Sequence, residues 1–221
     1  MDPKQSAAKK AVEYIENGMV VGLGTGSTAS WAIKEIGERM KQGLEIRAVA
    51  SSIRSENLAR EFGIPIVPFS AIDLIDLGID GADEVDENRN LIKGGGGSLL
   101  REKILAYHCR RFIVIVDESK LVDKLGEFPL PVEVVPFAVE LTIKSITELG
   151  CEAQVRKHDE QNFITDNGNL IIDCAFMEIE DPFSLEQQLK SIPGLVETGI
   201  FHNGLVSSVI VGYADGALKE I

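Results

Sequence analysis

The chain has 221 residues, 44% of them hydrophobic and 26% charged, the make-up of a folded protein with material for one large domain or two small ones. Its 35 acidic residues outnumber 22 basic ones, for a formal net charge of −13, and no basic stripe stands out. That balance argues against nucleic acid or an anionic membrane surface as a partner, so an anionic substrate must be met by a few local lysines and helix termini. The opening Met1-Asp2-Pro3-Lys4-Gln5 lacks the apolar core of a signal peptide, and no apolar run has the length of a membrane span. The three cysteines, Cys109, Cys151 and Cys174, are odd in number and widely spaced, which fits neither a disulfide framework nor a zinc site. Buried thiols in a reducing cytoplasm are the expectation. The histidines His108, His158 and His202 are equally scattered, against a zinc enzyme or a Ser-His-Asp hydrolase.

In chain order, residues 19–23, 46–50, 64–69, 74–79 and 112–116 are short apolar runs of strand length, and 27–41, 54–62 and 99–108 carry helical patterns. Apolar strands alternating with helices predict a doubly wound, mostly parallel sheet, with ligands bound beyond the carboxyl ends of its strands. After about residue 125 the pattern changes. A proline-bounded strand at 129–136, a helix at 138–149, strands at 151–157 and 170–178, a helix at 183–190 and a strand at 195–201 follow one another. Asp181 and Pro182 are placed as N-cap and first residue of the second of these helices. The order β-α-β-β-α-β predicts an inserted ferredoxin-like α+β domain at 126–201, with 1–125 and 202–221 forming a Rossmann-like catalytic domain. Asn203-Gly204 turns the chain into 205–211, a strand expected to return to the first sheet.

Four motifs carry chemistry. Lys93-Gly94-Gly95-Gly96-Gly97-Ser98 leads into the helical run that contains Glu102, one turn in. Bare glycine amides at a helix start attract negative charge, so a lysine, these amides and a carboxylate together suit an oxyanion and a proton. Glu102 has Ser98, Leu99, Leu105 and Ala106 as its helical neighbours, so no base pairs with it in the helix, and it lies beside the apolar face. Gly22-Leu23-Gly24-Thr25-Gly26-Ser27-Thr28-Ala29 follows the first strand, with Ser27 at the third glycine position of a dinucleotide fingerprint and no P-loop lysine. Its hydroxyls at a helix start suit a phosphate monoester, an ordinary capped turn being the plainer alternative. Asp80-Gly81-Ala82-Asp83-Glu84-Val85-Asp86-Glu87 fails the calcium-loop spacing. Glu84, Asp86 and Glu87 are expected to be solvated, whereas Asp80 and Asp83 flank small residues at a strand end and suit sugar hydroxyls. Lys120, after the strand at 112–116, is either a surface lysine or a partner for an anionic substrate.

Taken together these segments resemble the ribose-5-phosphate isomerases of type A, with two more motifs joining the match. These are Phe128-Pro129-Leu130-Pro131-Val132-Glu133-Val134 and Thr165-Asp166-Asn167-Gly168-Asn169. Ser98 departs from the alanine expected after the glycines, and serine is an acceptable residue at a helix start. The resemblance spans essentially the whole chain. It implies interconversion of D-ribose 5-phosphate and D-ribulose 5-phosphate in the non-oxidative pentose phosphate pathway, with no metal or organic cofactor, by a homodimer or homotetramer in the cytoplasm. It implies Glu102 as catalytic base, aided by Asp80, Asp83 and Lys93. Thr25, Gly26, Ser27, Thr28, Gly81, Ala82, Gly94, Gly95, Gly96, Lys120 and Lys4 are the implied substrate contacts. Two other classes stay open at this point: a CoA-transferase-like enzyme using the glutamate as nucleophile, and a sugar-phosphate sensor without chemistry.

Overall fold

The computed structural model describes residues 2–221. In chain order the elements are α1 (Pro3–Val12), β1 (Val20–Leu23), α2 (Ser27–Lys41), β2 (Arg47–Ala50), α3 (Ile53–Glu61), β3 (Ile75–Asp80), β4 (Glu84–Val85), β5 (Leu91–Ile92), α4 (Leu99–His108) and β6 (Cys109–Asp117). There follow β7 (Leu130–Val134), α5 (Val139–Thr147), β8 (Glu152–Val155), β9 (Lys157–His158), β10 (Gln161–Asn162), β11 (Leu170–Ala175), α6 (Pro182–Lys190), β12 (Leu195–Thr198), β13 (Ile200–Phe201), β14 (Ser208–Gly212) and β15 (Leu218–Glu220). They group into two compact units.

The first unit comprises residues up to Ala82 with Arg101–Leu121 and Gly204–Ile221. It holds a six-stranded sheet in the order β15-β14-β6-β3-β1-β2, parallel except for the antiparallel edge strand β15. Helices cover both faces. Ile33 and Ile36 of α2 and Ala7 and Ala11 of α1 pack with Leu77, Ile79, Ile113 and Ile115. Leu105 of α4 packs with Val20, Val49 and Ile75. Burial on both faces explains why the strands read as unbroken apolar runs rather than alternating ones. Strands β2 and β3 flank β1 on opposite sides, so the sheet has its topological switch beside β1, where a ligand crevice is expected. The return of the chain through β14, parallel to β6, agrees with the sequence.

Two features of this unit differ from the sequence reading. The run at 64–69 forms no strand, only a parallel bridge between Ala48 and Ile66, followed by a 3₁₀ turn at Phe69–Ala71. Pro65 and Pro68 have no N–H to give a ladder, which limits this stretch to an edge contact. Helix α1 lies outside the predicted elements. Its Asp2 side chain caps the Lys4 amide at 2.9 Å, Pro3 opens it, and Ala7, Ala8, Ala11 and Val12 form its buried face.

The second unit comprises Asp83–Leu100 and Val122–Asn203. An antiparallel four-stranded sheet, ordered β12-β7-β11-β8, carries α5 and α6 on one face, where Leu130, Val132, Val134, Ile172 and Cys174 meet Ile146 and Leu189. The opposite face of the same strands holds Pro131, Glu133, Ile171 and Asp173, as the period of two requires. A three-stranded sheet, β13-β5-β4, and the hairpin β9–β10 complete the unit. Residues 83–100 pack here because β5 pairs with β13 and the Val122 amide donates to Val85 O, whereas the sequence division sets them in the first part. The run at 195–201, read as one strand, is split at Gly199 into β12 and β13, which lie in different sheets.

Candidate functional site

In the first unit the predicted residues gather at the carboxyl ends of β1, β3 and β6. The Gly24 amide donates to Ile79 O at 2.9 Å, which ties the loop after β1 to β3. Asp80, 1% exposed, accepts from the Thr25 amide at 3.0 Å and the Gly81 amide at 2.8 Å, both on Oδ1. Gly24 is required for this approach, since a Cβ there would stand 2.0 Å from that oxygen. Burial, with the Asp80 charge added to it, pushes the Cys109 thiol up to about 12, so it stays a neutral thiol.

Thr25 Oγ1 sits 2.8 Å from both Ser51 Oγ and Ser52 Oγ and 3.2 Å from Ser55 Oγ, while Ser55 Oγ donates to Gly24 O at 2.7 Å. The three serines are buried, and sequence reasoning missed them. A signal existed: Ser51-Ser52 directly follows a strand at the ligand-binding end of the sheet, and Ser52 caps α3 through the Ser55 amide. Beyond them Ser27 at the start of α2 is exposed, and Thr28 packs beside Gly81. This hydroxyl-rich helix start suits a phosphate.

Lys4 and Lys120 meet around Asp117, the last residue of β6. Lys4 Nζ lies 3.7 Å from Asp117 Oδ2, and Lys120 ends the 3₁₀ turn that Asp117 caps through the Ser119 amide. Burial would raise the Asp117 carboxyl, but the Ser119 hydroxyl and amide, then Lys4 and Lys120, outweigh it and hold it below the ordinary range. Asp117 is therefore ionised at neutral pH, with Lys4 in an ion pair and Lys120 near enough to help hold it so. Glu102 lies in the first turn of α4 and is 3% exposed, in agreement with its place beside the apolar face.

In the second unit the glycine segment forms a turn closed by the Gly97 amide donating to Gly94 O at 2.9 Å. Asp83 Oδ2 accepts from the Gly95 amide at 2.7 Å. Gly96 is exposed at the tip. Lys93 is 2% exposed; its amide donates to Gly199 O at 2.9 Å and its Nζ stands 5.3 Å from the Phe201 ring centroid.

The acidic run after Asp83 corrects an expectation. Glu84 and Asp86 are buried, at 2% and 8% exposure, and only Glu87 is exposed. Glu84 accepts from the Gly126 amide at 2.7 Å and from the Phe128 amide, and Asp86 accepts from the Asn90 amide and side chain at 2.7 and 2.9 Å. Unsatisfied loop amides, not solvent, claim these carboxylates. Among the described residues no cluster of three or more His, Cys, Asp or Glu side chains is arranged to hold a metal, and no helix is long and apolar enough to cross a membrane.

The family model for ribose 5-phosphate isomerase A (phosphoriboisomerase A) matches residues 47–216. The chain belongs to that family. A ribose-5-phosphate isomerase A from Bacillus mycoides (strain KBAB4) is 49% identical over 221 residues, covering 100% of this chain and 99% of the relative. One from Picrophilus torridus is 50% identical over 213 residues, covering 96% and 94%. Among solved structures, ribose 5-phosphate isomerase A from Methanocaldococcus jannaschii superposes with a TM-score of 0.93 at 46% identity, covering 100% of this chain and 98% of that one. A D-ribose-5-phosphate isomerase in complex with phospho-erythronic acid superposes at 0.95 with 45% identity, covering 100% and 97%.

Proposed function

We propose that this protein is an aldose–ketose isomerase that interconverts D-ribose 5-phosphate and D-ribulose 5-phosphate through a cis-enediolate, with neither metal nor organic cofactor. The observation that carries this reading is the buried carboxylate of Glu102, one turn into the helix that the glycine turn opens. Moving a carbonyl between C1 and C2 requires a proton to leave C2 and reach C1, and one carboxylate facing both carbons performs both transfers. Glu102 takes that role. Lys93 and the amides of Gly94 and Gly96 stabilise the charge that develops on the enediolate oxygens, while the Gly95 amide, a substrate-side residue in this reading, orients Asp83.

Asp80 and Asp83 hold the sugar hydroxyls, beside Gly81 and Ala82, and move the proton between O1 and O2. Their bonds to the Thr25, Gly81 and Gly95 amides support this assignment by fixing the carboxyl groups in advance. Thr25, Gly26, Ser27 and Thr28 bind the phosphate with Lys4 and Lys120, which fixes the reacting carbons. The reaction belongs to the non-oxidative pentose phosphate pathway, and the enzyme works in the cytoplasm as a homodimer or homotetramer. We read the first unit as Rossmann-like and the four-stranded sheet with α5 and α6 as ferredoxin-like, a reading supported by its order β12-β7-β11-β8. The phosphorylated aldonic acid bound by a solved relative favours sugar-phosphate chemistry over acyl-CoA transfer.

An assay of ribulose 5-phosphate formation from ribose 5-phosphate in excess EDTA tests the reaction, with Glu102→Gln beside it. Full activity of the unsubstituted chain is expected, and a loss in the variant on the order of a hundredfold to ten-thousandfold in kcat with KM nearly unchanged. Near-normal turnover in Glu102→Gln would remove Glu102 from the chemistry, and EDTA inhibition would reinstate a metal.

A further inference from the structure

On the face of the four-stranded sheet away from α5 and α6, the Arg156 guanidinium does something no motif announces. Its Nη1 donates to two successive carbonyls of the glycine turn, Gly94 O at 2.9 Å and Gly95 O at 3.0 Å. Its other edge is held in a two-point ion pair by Asp173, Nε to Oδ2 at 2.9 Å and Nη2 to Oδ1. This pair is largely shielded, with 13% of the Arg156 side chain and 29% of the Asp173 side chain exposed. The Arg156 carbonyl in turn accepts from the Phe163 amide at 2.9 Å, and the Phe163 ring lies against Gly97, where a Cβ would stand 2.3 Å from it.

A trans peptide directs its C=O and the following N–H to opposite sides. Drawing the Gly94 and Gly95 carbonyls toward one guanidinium therefore directs the Gly95 and Gly96 amides the other way. The Gly95 amide meets Asp83 there, and Gly96 stands at the exposed tip. Successive amides on one side form a concavity for negative charge. A planar, permanently charged fork held by a carboxylate is suited to this task, and a lysine is not.

We infer that Arg156, locked by Asp173, is the positioning residue of the glycine turn, setting the direction of the Gly95 amide that holds Asp83 and of the Gly96 amide that meets the enediolate. This inference rests on the proposed isomerase function, and it assigns Arg156 no contact with substrate.

The test uses the full chain with Arg156→Ala and Arg156→Lys, measuring kcat, KM, thermal unfolding and affinity for phospho-erythronic acid, whose planar carboxylate resembles an enediolate in shape and charge. Both variants are expected to lose on the order of tenfold to hundredfold in kcat and in phospho-erythronic acid affinity, with KM within about threefold; Arg156→Ala, which leaves Asp173 unpaired, also unfolds at a lower temperature, and Arg156→Lys, which keeps the charge, much less so. Millimolar guanidinium should restore part of the kcat of Arg156→Ala and none of that of Glu102→Gln. Unchanged kcat and unchanged ligand affinity would overturn the inference. So would kcat, KM and thermal stability failing together in both variants without guanidinium rescue, because that pattern is purely structural. If the unsubstituted chain fails to isomerise, the function falls on its own, and the phospho-erythronic acid affinities still decide the role of Arg156.

Discussion

Gly24 and Asp80 occupy the same few ångströms of space, and that crowding orders the loop after β1. The Asp80 carboxylate holds the Thr25 and Gly81 amides only because residue 24 has no side chain. Gly24→Ala forces a methyl group into a buried, charged oxygen, an overpacking of about 1–3 kcal/mol. We expect lower thermal stability together with a raised KM for ribose 5-phosphate, since Thr25 loses its tether. A variant with unchanged melting and KM would show that the loop does not depend on this contact. The candidate motif residues stand out in the sequence because each set is contiguous: Lys93 to Glu102 can be read off a single helical wheel and a single glycine run. Ser51, Ser52, Ser55, Arg156 and Asp173 do not, because their roles come from partners 17 to 62 residues away, such as Arg156 for Asp173, Gly94 for Arg156 and Thr25 for Ser55.

At the scale of elements, legibility followed the strength of local signals. Helix α6 starts where Asp181 and Pro182 predicted, with the Asp181 side chain accepting from the Ser184 amide at 3.1 Å. The strand at 195–201 was misread because its break is tertiary: Gly199 donates to Pro131 O at 2.8 Å and accepts from Lys93, joining two sheets. Glu84 was misread for the same reason, its acceptors being claimed by the loop at Gly126 and Phe128. Burial raises the Glu84 carboxyl above its ordinary 4.5, although those two amides oppose it. A raised acid adds stability in full below the unfolded value, and that part is lost as pH rises through the folded value. Glu84→Gln turns an amide N–H toward a backbone N–H, a cost of about 1–3 kcal/mol. We therefore expect the variant to be less stable throughout, with its deficit narrowing as the pH of urea unfolding is raised from about 4 to 7. A deficit that widens over that range would mean that the amides, not burial, set the balance.

At the scale of the molecule, a chain of net charge −13 must bind a dianionic sugar phosphate against its own field. The resolution is local. Asp117 is held ionised with Lys4 paired to it and Lys120 nearby at the end of β6, so two cations stand where the hydroxyls of the α2 start also lie along the same sheet edge. Contact pairs act within a Debye length of about 8–10 Å, whereas the repulsion is spread over the whole surface. The Lys4→Ala, Lys120→Ala double variant should raise KM for ribose 5-phosphate by about tenfold to a hundredfold, the worth of hydrogen bonds to charged groups, with a smaller change in kcat. Added salt should raise KM in the unsubstituted chain by screening the contact pairs. In the double variant, where the bared Asp117 carboxylate and the long-range repulsion are left to screen, salt should leave KM flat or lower it. A double variant whose KM climbs with salt as steeply as that of the unsubstituted chain would place the phosphate on other residues.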